Sequence, residues 1–366
     1  MGAGPWGLAT AWRAAAEGAR VTVIGDGAPP AAHVAAGMLG PWSEAEEGEE
    51  DLHALMVEAL ARWPAFAHAL GEASGCDPGF RRTGAVLAAS RPEHVPVVRR
   101  RLEVLERWGT PVGWRPGSAL RDAEPGLGPA VAGGALLPDE HQAEPRALLA
   151  ALEAAAAAAG VRQLACRVDA IRRDATLGVR LEGGETVTAG CVVIAAGWAA
   201  GRLAPGVAVR GVSGQILRLR GRTGAPIPLR MTVRTPSVYL APRDGELVVG
   251  ATMEEGADAR VTAAGVAGLL VEALRAVPEI AELELAETAA GVRPATPDGR
   301  PVIGQDPAAP GLVWAVGGFR HGVLLTPLAA EAAAALAAGR EAPSWARQLA
   351  PAPSRQLAHP VETACA

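Results

Sequence analysis

The residues that usually signal nucleic-acid, membrane or metal chemistry are scarce in this sequence. Positive charge is not in excess: 34 basic residues face 39 acidic ones, for a net charge of −5. That balance gives no electrostatic basis for holding nucleic acid or an anionic membrane. The triplet Arg99-Arg100-Arg101 has no aromatics interleaved with it and reads as a solvated helix patch. The four cysteines, Cys76, Cys166, Cys191 and Cys365, have neither metal-pair spacing nor disulfide density, as in a protein of a reducing compartment. His33, His53, His68 and His141 also lack ligand spacing, so no metal is expected. Alanine-rich apolar runs are broken by charges and prolines before they reach a spanning length. No Lys/Arg-led hydrophobic leader opens the chain, and a cytoplasmic protein without a membrane segment is the expectation. Tyrosine occurs once, as Tyr239, and phenylalanine three times, while the nine tryptophans are scattered as core or subunit-contact residues would be.

What is present is a globular chain of 366 residues, 49% hydrophobic and 20% charged, long enough for two domains. It is organised around its start, where Gly2, Gly4 and Gly7 spell G-x-G-x-x-G and apolar residues follow at helical spacing. The first glycine permits a tight turn, the second lets backbone approach a pyrophosphate, and the third lets helix and sheet pack closely. The helix N-terminus then offers its free N–H groups to the phosphates. Such a motif normally follows a strand, but here Met1 stands directly before Gly2. The expectation is a βαβ unit whose first strand is missing, and with it either a longer natural protein or poor retention of the dinucleotide. The second strand, Val21-Thr22-Val23-Ile24, ends near Gly25. Asp26 follows, placed either to reach a ribose from the turn or to sit in it as a solvated residue.

Further along, helices are expected over Leu52–Leu70, with a kink or break at Pro64, and over Pro92–Trp108, Arg146–Ala159, Ala263–Val277 and Leu324–Ala338. Phe80–Ala89 reads as one strand. The apolar strand Cys191–Ala195 runs into the small turn Ala196-Gly197, as a central parallel strand would. Short strands between Val212 and Thr252, broken by Gly, Pro and charge, favour an antiparallel sheet. The acidic run Glu44–Asp51 and the triplet Asp139-Glu140-His141 read as solvated loop and polar turn. The fold class is therefore α/β (α+β): a dinucleotide-binding domain with a parallel sheet, assembled from segments 1–78, 136–208 and 286–342, and a substrate domain with a mixed or antiparallel sheet from 79–135 and 209–285. Residues 343–366 are expected to form a flexible tail.

Four stretches together resemble glycine oxidase of the thiamine-biosynthesis type, within the FAD-dependent D-amino-acid and sarcosine oxidases. They are the opening glycines, Ala35–Pro41, the stretch from Gly291-Val292-Arg293-Pro294 to Gly304, and Gly318-Phe319-Arg320-His321-Gly322-Val323-Leu324-Leu325. The likeness extends to about Arg340. It implies FAD as cofactor, with Gly2, Gly4 and Gly7 at the pyrophosphate. Ala35, Ala36, Gly37 and Met38 would lie along the flavin, the Val168 backbone at adenine, and Ala196 and Gly197 beside the cofactor with Trp198, and with Trp42 also walling the cavity. Gly318, His321, Gly322, Val323 and Leu324 would complete the flavin side. By the same likeness Arg293 pairs with a substrate carboxylate, Tyr239 hydrogen-bonds that group, Arg320 belongs to the segment closing over substrate and flavin, and Met253 lines a small pocket. The chain departs from the family at the missing first strand, at Gly25 where a glutamate is common, at Phe319, which lacks a hydroxyl, and at Ser237, where some members carry a larger polar residue.

The implied chemistry suits these residues. A guanidinium is a planar, permanently charged carboxylate clamp, a tyrosine adds an O–H donor, and orientation is most of the protein's task when a cofactor carries the redox step. Hydride transfer from an amine's Cα requires no side-chain nucleophile, so His321 is read as fixing the pocket rather than as a base. The resemblance implies glycine or another small amino acid and molecular oxygen as reactants, peroxide as a product, a role in thiazole formation, and a homo-oligomer, a tetramer by family habit. Alternatives are a sarcosine or D-amino-acid oxidase or dehydrogenase of the same fold, and a non-catalytic nucleotide-binding scaffold.

Overall fold

The computed structural model describes residues 1–173, 177–204 and 206–352. One part of it is the expected dinucleotide-type unit. The strand Thr22–Gly25 pairs in parallel with Arg162–Ala165. A second parallel pair, Val192–Ile194 with Leu312–Val316, is extended by antiparallel Val302–Gln305. Met1 and Gly2 lie between the two pairs and stitch them together. Gly2 N–H donates to the Ile24 carbonyl at 2.8 Å, Ala195 N–H donates to the Met1 carbonyl at 2.8 Å, and the Met1 amino group donates to the Val193 carbonyl at 2.7 Å. The last backbone bonds that a strand before the glycine turn would make are thus made by Met1 and Gly2. Burial pulls this amino group down to about 6.

Four helices cover the unit: Pro5–Ala16, Glu50–Ser74, Pro145–Ala158 and Thr326–Ala337. Their facing residues are mostly alanine and leucine, among them Ala9, Leu148, Leu152, Ala329 and Ala333, with Met56 and Trp63 filling the larger spaces. Small side chains let helix axes come close, so tight packing compensates for the modest apolar area of each residue. The Glu50–Ser74 helix runs through Pro64 without breaking. Leu60, Trp63, Phe66 and Ala67 around the proline are all buried, and their packing outweighs the lost hydrogen bond.

The second part is a large mixed sheet. Its strands lie in the order Arg115–Pro116, Gly133–Leu137, Ala85–Ala89, Thr232–Arg234, Tyr239–Arg243, Glu246–Gly250, Arg210–Arg220 and Glu284–Ala295. All neighbours are antiparallel except Thr232–Arg234 with Ala85–Ala89. Alternation along the strands gives it two faces. Leu217, Leu240, Leu247 and Val249 pack with Leu269 and Ala273 of the Ala263–Ala276 helix. On the other face Ile216, Tyr239, Ala241 and Val248 pack with Ala36 and Met38. The candidate site lies between that second face and the dinucleotide-type unit.

Three boundaries differ from the expectation. Residues 284–295 run in the large sheet, because pairing with Arg210–Arg220 along its whole length outweighs proximity in sequence to the final αβ block, and residues 133–137 run there paired with Ala85–Ala89. Phe80–Ala89 is split into Phe80–Arg81 and Ala85–Ala89, in different sheets, with Gly84 at φ +72° between them. The first residues of the expected tail are ordered: Ser344–Leu349 is a 3-10 helix that buries Ala346 and Leu349, and Pro351 packs at Gly304. Residues 353–366 lie outside the described residues. Among the described residues no helix is long and apolar enough to cross a membrane, and no side-chain group could hold a metal ion.

Candidate active site

The glycine turn is built by close contact. Gly2 has φ +101°, and a Cβ there would lie 2.1 Å from the Ala195 carbonyl oxygen. A Cβ on Gly7 would lie 2.0 Å from the Gly2 carbonyl oxygen. At Gly4 the only neighbour is Pro30 Cβ at 3.7 Å, so the space beside it is open. Gly4 caps the Pro5–Ala16 helix without a side-chain hydrogen bond, and Pro5 opens it. An uncapped helix N-terminus beside open space suits a pyrophosphate. This arrangement, a cradle that a Cβ would fill, fits a dinucleotide.

Other expected cofactor residues gather around the same turn. Asp26 is exposed in the loop after Gly25, and its Oδ1 accepts the Ala28 N–H at 3.1 Å. Val168 is half-buried and packs with the cluster that contains Ile24 and Val192. Nearby, Cys166 N–H donates to the Gly25 carbonyl at 2.8 Å. Ala196 and Gly197 follow Ala195 directly at the Gly2 contact, and Trp198 lies under the Arg202 guanidinium, 4.7 Å from its ring centroid. The Ala35–Met38 segment runs between the two parts. Ala143 N–H donates to the Gly37 carbonyl at 2.9 Å, Met38 pairs with Gln142, and Arg243 hydrogen-bonds the Ala36 carbonyl.

Arg293 sits on the long Glu284–Ala295 strand opposite Val212. Its guanidinium lies across Gly214, where a Cβ would be 2.2 Å from Nη1 and 2.5 Å from Cζ. Nη1 donates to the Ser213 and Thr252 carbonyls, both at 3.2 Å. Among the described residues no carboxylate pairs with it. Tyr239 pairs across the sheet with Gly250, and its hydroxyl occupies the space a Gly250 side chain would need, at 2.3 Å from that Cβ position. Burial pushes the Tyr239 phenol up while the Arg293 charge pulls the other way. Two glycines in neighbouring strands thus clear room for one arginine and one tyrosine on the face that looks toward Ala36 and Met38.

Arg320 is placed differently. Its Nη1 donates to Glu46 Oε1 at 2.7 Å, its Nη2 to Glu49 Oε2 at 3.0 Å, and its Nε lies 3.4 Å from Glu44 Oε2. Nε also donates to His321 Nε2 at 3.0 Å. Burial lowers the guanidinium, but the three carboxylates outweigh it and hold it above its usual value. His321 is buried, and that burial, followed by the Arg320 charge, pulls its imidazole down to about 3. It is therefore neutral at pH 7, with its Nε2 lone pair already accepting from Arg320. Phe319, just before, adopts φ +42°, which costs about 1–2 kcal/mol for a residue with a Cβ. The turn is tied down by Trp6, whose Nε1 donates to the Gly322 carbonyl at 2.7 Å, and by Trp63, whose Nε1 donates to the Leu324 carbonyl at 2.8 Å. Val323 and Leu324 are buried in the helix core. Met253 is 60% exposed on the loop after Thr252.

Sequence reasoning missed two buried carboxylates. Glu44, assigned to a solvated run, lies under the site with its Oε1 3.0 Å from Arg234 Nε, off the hydrogen-bond direction. Burial alone would raise it, but Arg234, Arg320, His321 and Arg101 outweigh burial and hold it at about 2. Glu140, assigned to a polar turn, is buried, and its Oε1 accepts the Trp42 and Ser43 N–H groups at 2.8 and 2.6 Å. Burial pushes its carboxyl up to about 7. Neither had a local signal, since both stand among acidic neighbours that are exposed.

The family model described as DAO, FAD dependent oxidoreductase, matches residues 1–336. The glycine oxidase of Geobacillus kaustophilus is 35% identical over 344 residues, spanning 90% of this chain and 89% of that protein. The bifunctional protein ThiO/ThiG of Trichormus variabilis is 32% identical over 338 residues, spanning 90% of this chain and 51% of that one. The crystal structure of the Geobacillus kaustophilus glycine oxidase matches with a TM-score of 0.89 at 33% identity, covering 96% of this chain and 97% of that one. With the glycine cradle and the two-part fold, these matches place the chain in the DAO family of FAD-dependent oxidoreductases, and FAD is its cofactor.

Proposed function

We propose that this enzyme oxidatively deaminates a small amino acid, glycine foremost, and passes the electrons to oxygen. The observation that carries the reading is the contrast between two arginines. Arg320 is saturated by Glu44, Glu46 and Glu49, whereas among the described residues Arg293 is held by peptide carbonyls alone and keeps its charge available. A charge left unpaired beside a buried tyrosine calls for an anionic ligand group, and a carboxylate matches the guanidinium fork. Tyr239 supplies the second donor. Arg320, His321 and Glu44 brace the wall opposite.

Gly2, Gly4 and Gly7 hold the FAD pyrophosphate in this reading, and Val168 with Asp26 flank the adenosine end. Ala35–Met38, Ala196–Trp198 and Gly318–Leu324 border the flavin, where small or buried residues permit a flat ring. When bound, FAD accepts hydride from the substrate Cα and returns the electrons to oxygen as hydrogen peroxide. The chain's own residues bind and aim the substrate. Arg293 and Tyr239 fix the carboxylate, which leaves only rotation about the Cα–carboxylate bond to be restrained by the surrounding apolar face. No side chain need remove a proton from a neutral amine. The imine then hydrolyses, giving glyoxylate and ammonia from glycine, and the likeness to a protein named ThiO/ThiG supports supply of that imine or its product to thiazole formation.

The test is anaerobic flavin reduction in the holoenzyme. Glycine, sarcosine, D-alanine and D-proline are added in turn, and bleaching followed by peroxide release in air is expected with glycine. Arg293→Ala should lose amino-acid turnover while its flavin absorption persists. Turnover of glycine by that variant at the parental kcat/KM would overturn the clamp. Bleaching without reoxidation in air would instead identify a dehydrogenase.

A further inference from the structure

The Ala35–Met38 segment is held by an arginine that substrate binding does not use. Gly37 stands at φ +71°, and a Cβ there would lie 1.8 Å from the Ala143 carbonyl oxygen, so only glycine fits. A glycine also lets the neighbouring peptide plane turn over easily, so the Ala36–Gly37 peptide needs an outside hold. Arg243 supplies it from the end of the strand Tyr239–Arg243, where alternation puts it on the face of Tyr239 and Ala241. One terminal nitrogen of Arg243 donates to the Ala36 carbonyl and the other to Glu144 Oε1. Among the described residues no backbone N–H reaches that carbonyl, and Ala36 is buried. Without the guanidinium a buried acceptor would lose its partner. Burial lowers Arg243 to about 10, so it stays charged at pH 7. Its own place is fixed in turn, since Glu144 Oε2 accepts the Ala147 N–H at 2.6 Å at the start of the Pro145–Ala158 helix. Arg146 Nε donates to the His33 carbonyl at 3.0 Å, so two arginines grip the stretch by its carbonyls.

We infer that Arg243 is a positioning residue for the flavin: it holds the Ala36–Gly37 peptide with its N–H turned to the cofactor and thereby raises the flavin's reduction potential, which rests on the placement of Ala35–Met38 along the flavin given above. The Ala36–Gly37 bond is trans, and a trans peptide points its C=O and N–H in opposite directions. With the Ala36 oxygen on Arg243, the Gly37 N–H therefore points away from the guanidinium. Neither this N–H nor that of Ala36 has an acceptor among the described residues, as suits donors that a ligand will satisfy. Two-electron reduction places negative charge on a flavin ring. An N–H facing the ring stabilises the reduced form, and a carbonyl turned there would do the opposite. The guanidinium acts twice, because its charge also polarises the peptide that it holds. Glu144 opposes that charge and tempers its effect.

The experiment measures the two-electron potential of bound FAD by equilibration with a reference dye, which needs no substrate. In Arg243→Met the equilibrium constant for reduction should fall about tenfold, equivalent to about 30 mV for a two-electron couple. Arg243→Lys, which keeps a charged donor, should stay within threefold of the parent. Glu144→Gln keeps an acceptor for Ala147 and leaves the guanidinium charge unopposed, so its constant should rise by about threefold or more. Opposite signs separate positioning from damage, because general loosening of the segment would move both variants the same way. The glycine Kd, from the saturation of anaerobic flavin reduction, should stay within twofold in all three, since Arg293 and Tyr239 are unchanged. Flavin content and unfolding midpoint establish that each variant is folded, and if Arg243→Met does not retain FAD, Glu144→Gln decides. The role of Arg243 is overturned if loaded Arg243→Met keeps its constant within twofold of the parent, if Arg243→Lys falls as far as Arg243→Met, or if Glu144→Gln fails to raise it. None of these results touches the carboxylate clamp, which glycine binding reports separately. If instead no amine bleaches the parent flavin, the clamp reading fails and the dye equilibration still decides what Arg243 does.

Discussion

Replacing Gly214 by alanine should disable the clamp without replacing any group that binds substrate. The new methyl would lie 2.2 Å from Arg293 Nη1, 2.4 Å from Nη2 and 2.5 Å from Cζ. Ordinary contact needs well over 3 Å, so the guanidinium must move by about 1 Å, a misplacement that costs on the order of 100-fold in rate. The same figure follows from the interaction itself. A hydrogen bond to a charged group contributes about 1.5–3 kcal/mol, and losing about 3 kcal/mol of transition-state binding lowers kcat/KM roughly 100-fold. The fold should tolerate the change, because the methyl meets the far end of a long side chain and not backbone. Steady-state peroxide release with glycine measures the effect, with the flavin spectrum and thermal unfolding as controls. The expected result is a kcat/KM lower by about two orders of magnitude, mainly through KM, with flavin content and unfolding midpoint near those of the parent. If the folded variant keeps its kcat/KM within threefold of the parent, Arg293 does not hold the substrate from the position described.

Tyr239→Phe removes one O–H donor and should lower kcat/KM by about threefold to tenfold, the effect of roughly 0.5–1.5 kcal/mol; stopped-flow flavin reduction would show it, and an unchanged rate would place the hydroxyl away from the carboxylate. Gly2→Ala meets the Ala195 carbonyl at 2.1 Å and must adopt φ +101°, so both strand pairs that meet at Met1–Gly2 are disturbed. Its purified protein should carry less FAD and unfold at lower temperature, measured by flavin-to-protein absorbance ratio and calorimetry; full flavin content would contradict the cradle. Acid should destabilise the native state through His321 and Glu44. Between pH 6.5 and 3 the unfolded chain binds a proton that His321 refuses in the fold, and Glu44 adds loss from pH 4.5 toward 2. Glu140, raised to about 7, acts in the opposite sense and favours the fold at the lower end of pH 4.5–7. In urea melts, His321→Gln should therefore reduce the acid slope by up to about 1.4 kcal/mol per pH unit; parallel slopes for variant and parent would show that His321 is not held neutral.

The legibility of the site was uneven for a physical reason. Gly2, Gly4 and Gly7 were readable because a turn that brings backbone to a phosphate constrains residue type at fixed local spacing. Ala35–Met38 and Gly318–Leu324 were readable only through resemblance, since small residues alone also suit a buried helix start. Glu44 and Glu140 were not readable at all. A glutamate in an acidic stretch looks the same whether it faces water or is enclosed by Arg234 and Arg320, which come from distant segments. Gly214 and Gly250 carried no message either, because their role is to leave room for side chains on neighbouring strands.

The sequence by itself determined the two-part α/β organisation and the dinucleotide cradle, since these follow from local periodicity and glycine sterics, whereas the candidate arginines were picked out only by the family resemblance. Tertiary structure decided what surrounds each arginine. Pairing Glu284–Ala295 against Arg210–Arg220 brings Arg293 over Gly214, where among the described residues its hydrogen bonds go to peptide carbonyls, while the fold of residues 44–49 brings three carboxylates onto Arg320. Closure at the glycine turn was likewise decided in three dimensions: Met1 and Gly2 bond to Val193, Ala195 and Ile24, and Met1 lies 192 positions from Val193 in sequence. A charge's partners depend on which segments meet, and chain order does not carry that information.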